Sequence, residues 1–156
     1  GRFFSADEVL ALAAESRRLL PEVVLSVTVP HTLPLDSQAQ LALDLVDIGA
    51  DLIQTEGGTS SYPTSPGTLG LIEKAGPTLA GAYAIANSLR ENHKEVPLIC
   101  ASGLSEVTVS MAISVGAYGV GIGSAVNKLN TELAMIATVR GLRQVLDSSR
   151  LAAKIN

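Results

Sequence analysis

Apolar positions along the chain change period repeatedly, from the helical 3.6 to the tight β-branched runs of buried strands. Ser5-Ala6-Asp7-Glu8 forms a capping box, and Val9, Leu10, Leu12, Ala13 and Leu19 continue a helix that Pro21 stops. Val23 to Val29 is rich in β-branched residues and reads as a strand ended by Pro30. Ser37-Gln38-Ala39-Gln40 reads as a second capping box, opening a helix that Gly49 closes, and Asp51 to Glu56 follows as a strand. A long loop over Gly57 to Thr68 carries few apolar anchors, which suits a lid that orders over a ligand. Pro77 in a first turn predicts a helix through Leu79, Ile85 and Leu89, then a strand over Val96 to Ala101. Ser105 is expected to cap a helix ending at Gly116; Tyr118 to Ile122 forms the fourth strand, and Glu132 to Leu146 the last helix.

Each strand is followed by a helix, so the expected fold is α/β, with four parallel strands covered by helices. A short internal repeat supports repeated β/α units: Ile48-Gly49-Ala50-Asp51-Leu52 echoes Val115-Gly116-Ala117-Tyr118-Gly119. Four units fall short of a closed eightfold barrel, which takes about 250 residues. Two architectures remain, the C-terminal half of a (β/α)8 TIM barrel or a small open doubly wound sheet. A dinucleotide-binding sheet wants its glycine fingerprint after an early strand, whereas Gly121-Ile122-Gly123 sits on the last strand and lacks the third glycine. The dinucleotide reading is thus weak, and as a half barrel residues 1–156 are expected to form a single partial domain, open at both edges and prone to form a homo-oligomer.

The 156 residues are 47% hydrophobic and 17% charged with a net charge of −4, a balance without the basic footprint of a nucleic-acid binder. The uncharged stretch Val107 to Val126 is long enough to raise a membrane span, but its glycines and hydroxyl residues divide it into a helix and a strand. No nucleic-acid or membrane partner is expected. The single cysteine, Cys100, excludes an internal disulfide and reads as a small buried hydrophobe in mid-strand.

In barrels the chemistry sits after the strands, and phosphate is often held after strands seven and eight. The last two strands here end in Ser102-Gly103 and Gly121-Ile122-Gly123-Ser124. Glycines admit an anion close to backbone amides, so Ser102, Gly103, Gly121, Gly123 and Ser124 are the candidate phosphate-binding residues. At the earlier strand ends, His31 and Glu56 are the candidate catalytic groups, a neutral imidazole and a general-base carboxylate. Gln54, Thr28 and Ser26 share that inward face. All four lysines (74, 94, 128 and 154) fall in helices or turns, so no Schiff-base amine is expected at a strand end, and no metal-ligand spacing is present.

Gly119-Val120-Gly121-Ile122-Gly123-Ser124-Ala125 resembles the terminal phosphate loop of tryptophan synthase α-subunits and related phosphate-binding barrels. Three further segments, Ser26 to Thr32, Gln54 to Ser60 and Cys100 to Ser105, together resemble the hypothetical chloroplast reading-frame family, a domain-of-unknown-function group of cyanobacteria and plastids. That resemblance implies an aldolase-type TIM barrel, of which residues 1–156 would be a fragment lacking the first four strands, and a chloroplast or cyanobacterial cytoplasmic location; it implies no particular reaction. The expected function is therefore binding of, or action on, a small phosphorylated metabolite, with flavin mononucleotide a possible occupant of the same loop. The alternative is a non-catalytic phospho-ligand binder or regulator on the same fold.

Overall fold

The computed structural model describes residues 3–57 and 62–153. Four strands, β1 (Ser26–Val29), β2 (Leu52–Thr55), β3 (Leu98–Ala101) and β4 (Gly119–Gly121), alternate with helices. The helices are α1 (Ala6–Leu19), α2 (Leu35–Asp47), α3 (Gly67–Glu91), α4 (Val109–Ser114), α5 (Ser124–Asn127) and α6 (Glu132–Ala153). All three strand pairs are parallel and the order is β1-β2-β3-β4, so each strand lies beside its neighbour in sequence and the outer strands are β1 and β4. Successive β/α units in unbroken spatial order are the arrangement of half a (β/α)8 barrel.

Alternation along the strands separates two faces. Val29, Ile53, Thr55, Leu98 and Cys100 are buried on the helix side, where they pack with Leu41, Leu45, Ile85 and Leu89. The opposite face carries Ser26, Thr28, Gln54, Ile99, Gly119 and Gly121, all exposed or half-buried. It is the face that a complete barrel would turn inward.

The ends of three helices explain how the sequence feeds each strand. Ala50 N–H bonds to Leu45 O and Gly49 N–H to Val46 O, with Gly49 at φ +95°. The same pair of bonds joins Ala117 to Ala112 and Gly116 to Ile113, with Gly116 at φ +100°. These are Schellman ends, and they are the internal repeat seen in the sequence. A third copy closes α3, where Lys94 N–H bonds to Leu89 O and His93 N–H to Arg90 O. Here the left-handed position, φ +54°, is held by His93 instead of glycine. His93→Gly is therefore expected to stabilise the fold by about 1 kcal/mol. Urea unfolding should show a higher midpoint at unchanged slope; a lower midpoint would contradict it.

Several sequence expectations shift. The first strand begins at Ser26, because Val23 lies in the turn after Pro21 and both Val23 and Val24 are exposed. Helix α2 starts at Leu35 after Pro34, whose fixed φ suits a helix entry, so Ser37 is inside the helix and caps nothing. Ser105 does not cap α4 directly. Ser105 to Thr108 form a turn, closed by Thr108 Oγ1 accepting from Ser105 N–H at 3.0 Å, and α4 begins only at Val109.

The largest shift concerns α3, which begins at Gly67, ten residues before Pro77. Pro77 removes one helical hydrogen bond, yet the first turns are held from outside. The Glu73 carboxylate accepts from Thr64 N–H at 2.7 Å, Ser65 N–H at 3.1 Å and Ser65 Oγ at 2.6 Å, which also holds its pKa below the ordinary range. Ala75, Thr78, Ala82, Ile85 and Leu89 then bury one face of the helix. Each large member of that stripe contributes roughly 1.5–3 kcal/mol, more than the helix loses at one proline bond. The loop expected to act as a lid is thus anchored on its α3 side; residues 58–61 lie outside the described residues. No helix among the described residues is long and apolar enough to cross a membrane.

Candidate functional site at the strand ends

A cavity of about 640 Å³ opens at the C-terminal ends of β2, β3 and β4. It is bordered by Gln54, Glu56, Ser102, Gly103, Gly121, Gly123 and Ser124, and by Lys74 and Lys128. Six of the seven candidate residues thus share one pocket. The seventh, His31, stands behind it: its Nδ1 lies 3.0 Å from Glu56 Oε2. The histidine side chain is 11% exposed and the glutamate 43%, and Glu56 lines the cavity while His31 does not. With its proton on Nδ1, His31 donates to the carboxylate and fixes its orientation. The two candidate catalytic residues, His31 and Glu56, are thus brought together as one hydrogen-bonded pair beside the cavity.

The two glycine loops differ. After β3 the backbone takes two left-handed residues in succession, Ser102 at φ +78° and Gly103 at φ +76°. A serine there is strained by roughly 1–3 kcal/mol and persists only because its surroundings determine it. A Cβ on Gly103 would come within 2.6 Å of Lys74 O, so helix α3 rests directly on this loop. After β4, a Cβ on Gly123 would meet nothing within 4 Å, whereas one on Gly121 would lie 3.0 Å from the Ala101 Cβ. The two glycines of this loop therefore differ in their surroundings. Gly123 faces open cavity, and Gly121 lets β4 approach β3.

Positive charge reaches the pocket from helices. α5 has only four residues and contributes little macrodipole, but Lys128 follows it at the cavity wall. Lys74 arrives because α3 begins early and overhangs the strand ends. Both lysines lie in a helix or helix end, as the sequence indicated, but that placement did not keep them from the site. Against them stands one carboxylate, Glu56, leaving the cavity lining cationic on balance.

Cys100 is fully buried on the helix side of β3, and burial pushes its thiol pKa up, as suits packing and not nucleophilic attack. Among the described residues no group of three or more His, Cys, Asp and Glu side chains could hold a metal ion. A larger groove, of about 1070 Å³, runs between the C-terminal ends of α3 and α4 near Tyr83, Arg90, His93 and Tyr118. It lies at the N-terminal end of the sheet, the end that serves stability in barrels, and the smaller strand-end cavity is the better site.

Comparison with known proteins places this geometry in context. A chain titled "X-ray crystal structure of the YdjI aldolase from Escherichia coli K12" is similar in fold, with a TM-score of 0.51 and 18% identity over 95% of this chain and 56% of that one. The "Uncharacterized protein ycf23" of Porphyra purpurea is 36% identical over 149 residues, covering 96% of this chain and 54% of the relative. That of Cyanophora paradoxa is 46% identical over 130 residues, covering 83% and 51%. The chain spans about half the length of these relatives. A family model described as "Protein of unknown function (DUF561)" matches residues 1–152, and the chain belongs to that family.

Proposed function

We propose that the strand-end cavity binds the phosphate of a small phosphorylated metabolite and presents the rest of that molecule to Glu56. The observation that carries this reading is the convergence of both glycine loops, two lysines and one oriented carboxylate on one 640 Å³ cavity. Amides and hydroxyls at Ser102, Gly103, Gly123 and Ser124 surround the anion, and Lys128 supplies the charge that a phosphate dianion requires. Glu56, held by His31, serves as the base for a proton on the ligand.

The exposed inner face of the sheet, the two uncovered outer strands and the half-length match to relatives support a second element. Further β/α units would close the pocket. Apolar side chains exposed just before β1, at Val23 and Val24, and on α6, at Leu133 and Val139, suit such a packing partner. Kinship with ycf23 proteins supports a chloroplast or cyanobacterial setting.

Calorimetric titration of the full-length protein with inorganic phosphate tests the site. Lys128→Ala should weaken binding about tenfold, the equivalent of one charge-assisted hydrogen bond. Unchanged affinity in that variant would remove Lys128 from the site. A parallel titration with flavin mononucleotide decides whether a flavin uses the loop, since tighter binding and a yellow protein would follow.

A further inference from the structure

We infer that Thr55, buried at the cavity wall, and Thr78, buried behind it, are positioning residues that set the shape of the Ser102–Gly103 loop and so its affinity for an anion. The inference rests on the phosphate reading of the same cavity. Three hydrogen bonds form a closed circuit. Ala101 N–H donates to Thr55 Oγ1 at 3.0 Å, the two threonine hydroxyls lie 2.6 Å apart, and Thr78 Oγ1 donates to Ala101 O at 2.5 Å. Each hydroxyl has one proton, so the directions follow: Thr78 gives its proton to Ala101 O, and Thr55 supplies the proton between the hydroxyls. Both polar backbone groups of one residue are therefore held by two side chains, one from β2 and one from α3. Both threonines are buried, at 1% and 0% exposure, where an unmade hydrogen bond is costly.

The location gives the circuit its role. Paired register between β2 and β3 runs only through Ile53↔Leu98 and Gln54↔Ile99. Past Ile99, the Thr55 hydroxyl stands between the strands where a ladder bond would continue, while β4 still pairs with Ala101 through Gly121. The Ala101 amide is thus satisfied by a side chain where the paired register of β2 and β3 ends, at the wall of the cavity. Ala101 is also the last residue before the left-handed pair Ser102 and Gly103. Helix α3 presses on the same spot twice more: a Cβ on Gly57 would come within 2.9 Å of Thr78 N, and one on Gly103 within 2.6 Å of Lys74 O. Fixing Ala101 at both polar groups is what holds the strained Ser102 in place before ligand arrives, sparing that ordering cost on binding.

The test uses Thr78→Val, Thr78→Ser and Thr55→Val in the full-length protein, titrated with inorganic phosphate. Amide exchange is followed at Ala101 and Gly103 without ligand. Ile85→Val, buried in α3 away from the circuit, is the control for general destabilisation. Thr78→Val should weaken phosphate about tenfold, the loss of one buried hydrogen bond, while Thr78→Ser stays within about twofold of wild type. Thr55→Val should speed Ala101 exchange about tenfold, since that amide loses its acceptor. Wild-type affinity in Thr78→Val, equal weakening in Thr78→Ser, or equal weakening in Ile85→Val would overturn the inference. If the wild type binds no phosphate, the phosphate reading itself fails. Exchange then decides the circuit alone, and unchanged Ala101 and Gly103 rates in Thr55→Val and Thr78→Val would overturn it.

Discussion

Gly123→Asp is expected to lower phosphate affinity at least about 100-fold while leaving the fold intact. A carboxylate about 4 Å from a bound anion costs roughly 4 kcal/mol at the effective dielectric of a protein surface, and the added bulk occupies the ligand's own volume. The fold is expected to tolerate the change because a Cβ at position 123 meets nothing within 4 Å and its φ is negative, at −112°. Gly123→Ala adds the bulk without the charge and should fall between wild type and Gly123→Asp. Gly121→Ala makes the contrast, since its Cβ would press on Ala101 and its first effect should be on stability. Calorimetric titration with phosphate, alongside thermal melts, separates these outcomes. Equal affinity in wild type, Gly123→Ala and Gly123→Asp would exclude Gly123 from the site.

The largest stability loss is expected at the other end of the sheet, in Arg17→Ala. The Arg17 guanidinium donates to Gly49 O at 2.7 and 3.0 Å, to Pro21 O and Val23 O at 2.9 Å each, and to the Asp51 carboxylate. Through one side chain, α1 is tied to the turn before β1 and to the start of β2. Its side chain is 20% exposed, and truncation leaves several carbonyls without their donor. A cost of about 3 kcal/mol follows, or a fall in Tm of about 10 °C for a chain of this size. Most of that belongs to the carbonyl bonds, because Asp51 is half exposed and its ion pair is screened.

Asp51 adds a pH dependence of defined sign. Its carboxylate accepts from Leu25 N–H at 2.8 Å and pairs with Arg17, and these hold its pKa below the ordinary value, the Leu25 bond first. A carboxyl depressed on folding stabilises above its unfolded pKa, and that contribution is lost as pH falls through the lower folded value. Urea unfolding of wild type should therefore weaken on acidification below the ordinary carboxylate range. Arg17→Ala should keep part of the Asp51 contribution, through Leu25, and Asp51→Asn should lose that contribution, leaving the shallower slope that other depressed carboxylates such as Glu73 supply. A steeper acid dependence in Asp51→Asn would contradict the assignment.

Where the sequence was legible, a local rule and the tertiary environment agreed. Gly49 and Gly116 sit at helix ends that require a positive φ, and glycine announces that need. His93 occupies the same geometry without announcing it, so the third Schellman end emerged only from the backbone. Strand alternation put Cys100 on the buried face and Gln54 on the open one. The first ten residues of α3 were hidden because Gly67, Gly70, Gly76 and Pro77 all disfavour a helix; burial of Ala75 and the Glu73 anchor override that preference. Lys74 was hidden with them, since its reach to the strand ends depends on where α3 begins. Of the candidate site, the strand-end residues that line the cavity were chosen by the rule that barrels put chemistry there. The Thr55–Thr78 circuit was not, because it joins residues 23 apart whose hydroxyls look like ordinary strand and helix positions.

A crystal structure of the full-length protein grown or soaked with a phosphorylated small molecule tests the central claim most directly. The account predicts the phosphate between the Ser102–Gly103 and Gly123–Ser124 turns, with Lys128 Nζ within hydrogen-bond distance and the remainder of the molecule directed toward Glu56. A phosphate bound elsewhere, with the strand-end cavity filled by water alone, would contradict it.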